Sequence, residues 1–192
     1  MTLSDRREMP TVYEPAEDSR LLAETAADEV GAGEFVLEVG VGSGYVSATV
    51  RDETGARVAG SDVNPDACAA TRDAGVEAVR ADLLAPFVDD AFDVVLFNPP
   101  YLPTPPEMEW DDPLEHALSG GPDGRRLVRP FLDGVGRVLR PGGRVFLLVS
   151  SLTDVEAVTE LATAAGLTVA ERAEESFPFE RLVVLEITAG DT

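Results

Sequence analysis

The strongest constraint on the fold is an apolar run, residues 92–97 (Phe-Asp-Val-Val-Leu-Phe), that stops abruptly before two prolines. A β-branched run of this kind is typical of a strand that is covered on both faces. Proline cannot continue the hydrogen-bond ladder of a sheet, so we expect the strand to end there in a rigid loop. Ligands of open α/β sheets bind at the carboxyl ends of the strands. We therefore predict that the tetrad after the run lies at the mouth of a cleft; it consists of Asn98, Pro99, Pro100 and Tyr101.

Strand-like and helix-like segments alternate along the rest of the chain. Strands are predicted at residues 35–39, 57–61, 76–79, 92–97, 144–150, 167–173 and 181–187. Helices are predicted at residues 16–30, 45–52, 66–73, 126–139 and 153–165, with Pro130 delaying or kinking the fourth and a turn at 141–143. This alternation is typical of a doubly wound α/β fold, a mostly parallel sheet with helices on both faces. Too few residues separate the last two strands for a crossover helix, so we expect them to be antiparallel.

Length and composition favour a single domain over residues 1–192, in a reducing, cytoplasmic setting. The hydrophobic fraction of 44% excludes a wholly disordered chain, and no apolar run approaches the ~18 residues of a membrane span. The first ten residues lack the apolar region of a signal peptide. Cys68 is the only cysteine, which excludes an internal disulfide and a cysteine-built zinc site, and we expect no metal site.

The charge balance is unusual, because 36 acidic residues face 15 basic ones and the net charge is −21. Every basic residue is an arginine. Such a surface repels phosphate backbones, so direct nucleic-acid binding is disfavoured. Our hypothesis is adaptation to a salty, halophilic cytoplasm, where ions screen the repulsion between acidic side chains. The alternative is an acidic protein without any such adaptation.

A glycine-rich turn follows the first predicted strand and supplies Gly40, Gly42 and Gly44. Glycines let the backbone approach a ligand closely, and the helix that follows offers free N–H groups. The dinucleotide-binding form of this motif needs a glycine where this chain has Tyr45, which weighs against a nicotinamide dehydrogenase. With Glu38 just before it, the turn suits a ligand that carries a cationic or hydroxyl-rich group better than a pyrophosphate.

Acidic residues end the next two predicted strands. Asp62 stands where a carboxylate can accept both hydroxyls of a ribose. Asp82 and Leu83 could place a carboxylate and an apolar side chain beside an adenine. Either acid alone reads better as a solvated surface residue, but together with the glycine turn they indicate a nucleoside pocket. S-adenosylmethionine fits such a pocket, because it has an adenine, a ribose and an amino-acid tail but no phosphate.

These motifs, in this order, resemble those of class I S-adenosylmethionine-dependent methyltransferases. The tetrad is the mark of the members that methylate a planar amino nitrogen, namely adenine N6, cytosine N4 or a glutamine side-chain amide. A finer resemblance is to the short eukaryotic and archaeal branch of the HemK-type release-factor glutamine methyltransferases. It is carried by residues 13–19 (Tyr-Glu-Pro-Ala-Glu-Asp-Ser), 98–106 and 120–125 (Gly-Gly-Pro-Asp-Gly-Arg).

The resemblance implies a Rossmann-like sheet of seven strands, six of one direction and one reversed near the C-terminal edge. It implies that residues 1–30 cover the cofactor, with contacts from Tyr13 and Ser19. Asn98 would contact the cofactor as well as the acceptor nitrogen, and the other residues of the tetrad would share the catalytic site. The reaction would be N5-methylation of a protein glutamine, that of the Gly-Gly-Gln loop of a class-1 peptide chain release factor.

The resemblance also implies a heterodimer with a small zinc-binding activator subunit. The strand that runs from Val76 to Val79 should lie at a sheet edge, and an unprotected edge invites a partner, so we expect the activator to dock there. Two other functions stay open. One is an N-methyltransferase for another acceptor, adenine N6 in nucleic acid or a protein lysine. The other is a non-catalytic subunit that binds the cofactor and only scaffolds a partner.

Overall fold

The structure is a computed structural model that describes residue 12 and residues 14–108 and 117–190. A seven-stranded sheet in the order β3-β2-β1-β4-β5-β7-β6 forms its centre. The strands are β1 (Phe35–Val39), β2 (Arg57–Asp62), β3 (Glu77–Arg80), β4 (Phe92–Phe97), β5 (Leu139–Ser150), β6 (Leu167–Phe177) and β7 (Glu180–Ala189). The helices are α1 (Glu17–Glu29), α2 (Tyr45–Thr54), α3 (Pro65–Asp73), α4 (Val128–Val138) and α5 (Val155–Ala164).

The direction of the strands agrees with the prediction. The pairs β3-β2, β2-β1, β1-β4 and β4-β5 are parallel, whereas β7 is antiparallel to both β5 and β6. The sheet is thus mostly parallel, with one reversed strand next to the C-terminal edge. The predicted third strand is confirmed one residue further along the chain, and it lies at the opposite edge of the sheet.

The start of β5 differs from the prediction, which placed a turn at residues 141–143. The strand already begins at Leu139, and the pairing with β4 jumps from Leu139 opposite Phe92 to Arg144 opposite Val94. The turn residues are therefore an irregularity inside the strand. A Cβ on Gly143 would lie 3.1 Å from the carbonyl oxygen of Asp93, so the missing side chain lets the two backbones approach.

The last two strands are longer than predicted, and β6 continues through residues 174–177. The charged residues of this part favoured a loop in the sequence, but in the structure they form ion pairs with arginine side chains. Arg181 pairs with Glu174 at 2.7 Å, and Arg20 of α1 donates two hydrogen bonds to Glu175. Exposed ion pairs of this kind contribute little each. The long ladder that β6 shares with β7 is what holds the strand together.

Apolar side chains pack on both faces of the sheet and form two clusters. One cluster contains Leu22 and Ala26 of α1 with Val46 and Val50 of α2. The other contains Phe131, Leu132 and Val135 of α4 with Val158 and Ala162 of α5. Helix α4 begins at Val128, so that Pro130 falls in its first turn, where a proline leaves few hydrogen bonds unmade. In the described part of the chain no helix is long and apolar enough to cross a membrane.

Candidate active site

A cavity of about 460 Å³ opens at the carboxyl ends of β1, β2 and β4. It brings together most of the residues that the sequence singled out: Ser19, Glu38, Gly40, Gly42, Asp62, Asp82, Leu83, Asn98, Pro99, Pro100 and Tyr101. Its volume is in the usual range for a small-molecule site. Tyr13 lies outside the described residues. Gly44 does not line the cavity, although it belongs to the same turn as Gly40 and Gly42.

The structure shows a packing constraint at Gly44. It precedes α2 in a left-handed conformation (φ 80°), and a Cβ there would lie 2.8 Å from the Cα of Thr71 in α3. A side chain at this position would therefore separate the turn from α3. Gly40, by contrast, faces the cavity with a φ of 70°, and its N–H donates to the carbonyl oxygen of Ser61 at 2.7 Å. The turn is thus fixed to β2 on one side and open to a ligand on the other.

The carboxylate of Asp62 is held in one orientation at the end of β2. The backbone N–H of Gly42 donates to Oδ2 at 3.1 Å, and that of Asn64 donates to Oδ1 at 2.8 Å. Burial raises the pKa of Asp62 above its usual value, whereas these N–H groups lower it. Each oxygen keeps a further lone pair, so the fixed carboxylate can accept two hydroxyl groups from a ligand.

Asp82 and Leu83 lie next to Asp62 because β3 continues its pairing beyond its last residue. The N–H of Ala81 donates to the carbonyl oxygen of Asp62 at 2.9 Å. Asp82 is exposed, and Leu83 is half-buried with a φ of 45°, which is uncommon for a residue with a side chain. An acceptor and an apolar side chain therefore flank the same corner of the cavity.

Glu38 lies deeper, at the end of β1, and only 2% of it is exposed. Its Oε2 accepts hydrogen bonds from the backbone N–H of Ser47, at 2.8 Å, and from the Ser47 hydroxyl. Burial raises the pKa of Glu38 to about 8 in spite of these donors, and the charge of Asp62 adds to the effect. A cationic ligand group in the cavity would favour the charged form of Glu38, and a ligand hydroxyl could share a hydrogen bond with its carboxyl group.

The tetrad forms the other side of the cavity, directly after β4. The side-chain oxygen Oδ1 of Asn98 is buried and has no hydrogen-bond partner. A buried acceptor without a donor costs free energy, so such an atom in a ligand cavity indicates where a ligand donor belongs. Beneath it, the ring of Phe97 packs on Phe131 of α4 with centroids 4.5 Å apart. This contact ties the end of β4 to the core.

Some cavity residues were not predicted as site residues. Asp18 lines the cavity and is buried, and its Oδ1 accepts hydrogen bonds from the N–H (2.6 Å) and the hydroxyl of Ser19. Because Asp18 belongs to the segment 13–19 that carries the resemblance, the sequence could have identified it as a site residue. Leu118 and Leu127 also line the cavity, but no local pattern distinguishes them from core leucines. Tertiary contacts alone bring them to the site.

The fold and the cavity together define a class of protein. It is a doubly wound α/β protein whose ligand cavity, at the carboxyl ends of the strands, combines fixed carboxyl groups with a buried amide acceptor. Residues 36–117 match the methyltransferase domain family. A protein of Methanocaldococcus jannaschii that is named as a protein N5-glutamine methyltransferase from its sequence is 37% identical over 92% of this chain and 91% of its own length. The methyltransferase HEMK2 of Homo sapiens is 35% identical over 92% of this chain and 89% of its own.

Solved structures agree with these relatives. The Mtq2–Trm112 complex of E. cuniculi, responsible for the methylation of the translation termination factor eRF1, superposes with a TM-score of 0.78 and 28% identity. The match covers 94% of this chain and 100% of that one. The chain belongs to the family of HemK-type protein N5-glutamine methyltransferases.

Proposed function

We propose that this protein transfers a methyl group from S-adenosylmethionine to the side-chain nitrogen of a protein glutamine. Its substrate would be the Gly-Gly-Gln glutamine of a class-1 peptide chain release factor. The observation that carries the proposal is the buried, unpartnered Oδ1 of Asn98 at the cavity. An amide NH₂ group offers the donor that this oxygen lacks.

The cavity fits S-adenosylmethionine by the chemistry of its donors and acceptors. The fixed carboxylate of Asp62 suits the ribose hydroxyls, and Asp82 and Leu83 suit the adenine. Glu38 and the turn at Gly40 and Gly42 suit the amino-acid tail, which carries an ammonium group. When bound, the cofactor supplies an electrophilic methyl group on a sulfonium. Ser19 and Tyr13 would complete the site as parts of a segment, residues 1–30, that covers it.

The protein's own part in the reaction is to hold and polarise the acceptor. An amide nitrogen is a poor nucleophile because its lone pair is delocalised into the carbonyl. If Oδ1 of Asn98 and the carbonyl oxygen of Pro99 accept its two N–H bonds, the nitrogen is fixed in place and becomes more electron-rich. Such orientation can contribute several kcal/mol to catalysis. Tyr101 would pack on the planar amide, and the proton would leave to water after the transfer.

Other acceptors have less support. A net charge of −21 disfavours direct contact with a nucleic-acid backbone, which weighs against adenine as the acceptor. A protein lysine would present a tetrahedral ammonium group that must lose a proton before attack, whereas the tetrad resembles that of enzymes that methylate a planar nitrogen. A purely scaffolding subunit would have no need for the intact tetrad.

We also propose a heterodimer with a small zinc-binding activator at the edge strand β3, the strand predicted from Val76 to Val79. In the described part of the chain β3 pairs with β2 alone. Val79 of this strand is 50% exposed, which is high for an apolar side chain. The related Mtq2 is assembled with Trm112. A partner strand would complete the ladder and cover this surface.

We further propose that the protein acts as one domain in a cytoplasm of high salt concentration. The support is the acidic composition, which is spread over the whole chain, together with a release factor as substrate. In molar salt the Debye length falls to about 3 Å, so the repulsion between carboxylates farther apart than this is largely screened.

Mass spectrometry of the release factor tests the proposal. The chain and its activator are incubated with the release factor and methyl-labelled cofactor, and the peptide with the Gly-Gly-Gln loop is sequenced. We expect one additional methyl group on the glutamine. Label found only in RNA, or on a lysine, would overturn the proposed acceptor.

A further inference from the structure

The backbone just after the tetrad is held by a second segment, residues 117–126, which the proposed reaction leaves without a role. We call it the bracing segment. Three backbone hydrogen bonds join the two: Leu102 N to Leu118 O (3.0 Å), Gly120 N to Leu102 O (2.9 Å) and Thr104 N to Gly121 O (2.9 Å). The pairing is parallel and begins one residue after Tyr101. The loop that carries the tetrad is therefore not free to move on its own.

Gly124 of the bracing segment packs directly on the tetrad. Its φ is 74°, and a Cβ built on it would lie 2.5 Å from the carbonyl oxygen of Tyr101. That is roughly 1 Å less than an ordinary contact between two heavy atoms. The same Cβ would collide with the side chain of Thr153. Any side chain at position 124 therefore clashes with Tyr101 and Thr153 at once, and the backbone must shift to relieve the contact with Tyr101.

Thr153 is a fixed support, since it is only 2% exposed and its hydroxyl donates to the carbonyl oxygen of Ser150 at 2.8 Å. Ser150 is the last residue of β5, a central strand. The guanidinium of Arg125 donates to the carbonyl oxygen of Thr153 at 2.5 Å. A continuous path of contacts thus leads from β5 through Thr153 and the bracing segment to Tyr101.

We propose that Gly124 and Arg125 are positioning residues for methyl transfer. They fix the backbone of Tyr101 against β5, and thereby fix where Oδ1 of Asn98 holds the acceptor nitrogen. This inference rests on the proposed role of the tetrad. Displacing a reacting group by about 1 Å can cost on the order of 10²-fold in rate. In the proposed site other residues hold the cofactor, so its binding should change little.

The test compares two glycines that share the same backbone strain. Gly142 has a φ of 80° and nothing within 4 Å of a Cβ, so Gly142→Ala reports the cost of the left-handed conformation alone. We expect Gly124→Ala to lower kcat by about 10²-fold while the Kd for S-adenosylmethionine changes less than about two-fold. Gly142→Ala should keep the kcat of the wild type, measured well below the Tm of both variants.

Two further variants keep the test decisive if Gly124→Ala does not fold. A Cβ on Gly120, whose φ is ordinary, would lie 2.5 Å from the carbonyl oxygen of Gly124, so Gly120→Ala should lower kcat in the same way. Arg125→Met removes the hydrogen bond to Thr153 and should lower kcat several-fold. Wild-type kcat in these variants, or an equal loss in Gly142→Ala, would overturn the inference.

The wild-type protein separates this inference from the proposed function. If it methylates glutamine and the bracing variants do so equally well, only the inference fails. If the wild type methylates another acceptor and the variants lose that activity, the proposed acceptor fails and the positioning role stands. A wild type that transfers methyl groups to no acceptor contradicts both.

Discussion

The buried carboxyl group of Glu38 accepts a hydrogen bond from the backbone N–H of Ser47 at 2.8 Å, and a second one from the Ser47 hydroxyl. Glu38 belongs to the end of β1 and Ser47 to the first turn of α2, so the pair spans the glycine turn. The free N–H groups of a helix start are usually satisfied by a capping side chain or a ligand. Here a strand residue satisfies one of them, and the turn is left open to the cavity.

This burial makes the free energy of unfolding depend on pH. The pKa of Glu38 is about 8 in the folded protein and 4.5 in the unfolded chain. Between these values the unfolded chain has lost a proton that the folded protein keeps, so this group makes stability fall as pH rises and has no further effect above about 8. In Glu38→Gln this dependence is removed. The difference in the free energy of unfolding between the variant and the wild type should therefore change in favour of the variant as the pH rises from about 5 to about 8.

Urea denaturation at both pH values measures this difference. Glu53→Gln, an exposed position in the same helix as Ser47, is the matched control and should show no such gain. A Glu38→Gln variant whose stability relative to the wild type is the same at both pH values contradicts the prediction.

Asn98→Ala removes the acceptor proposed to hold the substrate nitrogen. We expect methyl transfer to fall by about 10²-fold or more, because the nitrogen is no longer oriented, while the Kd for the cofactor changes far less. Asn98→Asp keeps an acceptor oxygen and should retain part of the activity. Transfer is followed with labelled cofactor, and binding by calorimetry. Equal losses of both in Asn98→Ala would place the residue in the cofactor site alone.

Asp62→Ala removes the carboxylate that Gly42 and Asn64 hold in place. Hydrogen bonds to a charged group contribute about 1.5–3 kcal/mol, so we expect the Kd for S-adenosylmethionine to rise by about 10- to 100-fold. Asp66→Ala, an exposed acid four residues further along that does not line the cavity, is the control. Similar Kd values for the two variants would argue against the ribose contact.

Val79→Asp tests the docking of the activator at β3. A charge placed in the interface is costly to bury, so we expect the affinity for the zinc-binding subunit to fall by about ten-fold or more. Val88→Asp changes a valine that is 72% exposed and lies outside β3, and it should bind as the wild type does. Co-purification and calorimetry measure both, and unchanged binding of Val79→Asp would move the interface elsewhere.

The acidic surface predicts a dependence on salt. As ions screen the repulsion among 36 acidic side chains, the free energy of unfolding should rise from low to molar KCl. Urea denaturation across this range measures it. Cooperative unfolding with equal stability at both ends would contradict the proposed adaptation.

The sequence by itself determined the local elements and indicated many of the residues that line the cavity. These features depend on residues that are close in sequence, so they can be recognised without a structure. They are the alternating strand and helix patterns, the glycine turn, and the two prolines Pro99 and Pro100. The positions of Asp62 and Asn98 at strand ends followed from the same patterns. Since parallel strands place their carboxyl ends at one edge, these residues had to meet.

Only the tertiary structure decided which neighbours these elements acquire. Residues 141–143 lie within β5, and the backbone of Asp93 in β4, which is distant in sequence, packs against Gly143 there. Gly44 allows the close approach of α3, and Leu118 reaches the cavity together with its pairing to Leu102. These outcomes depend on close contacts between distant segments, and such contacts leave no periodic pattern in the sequence.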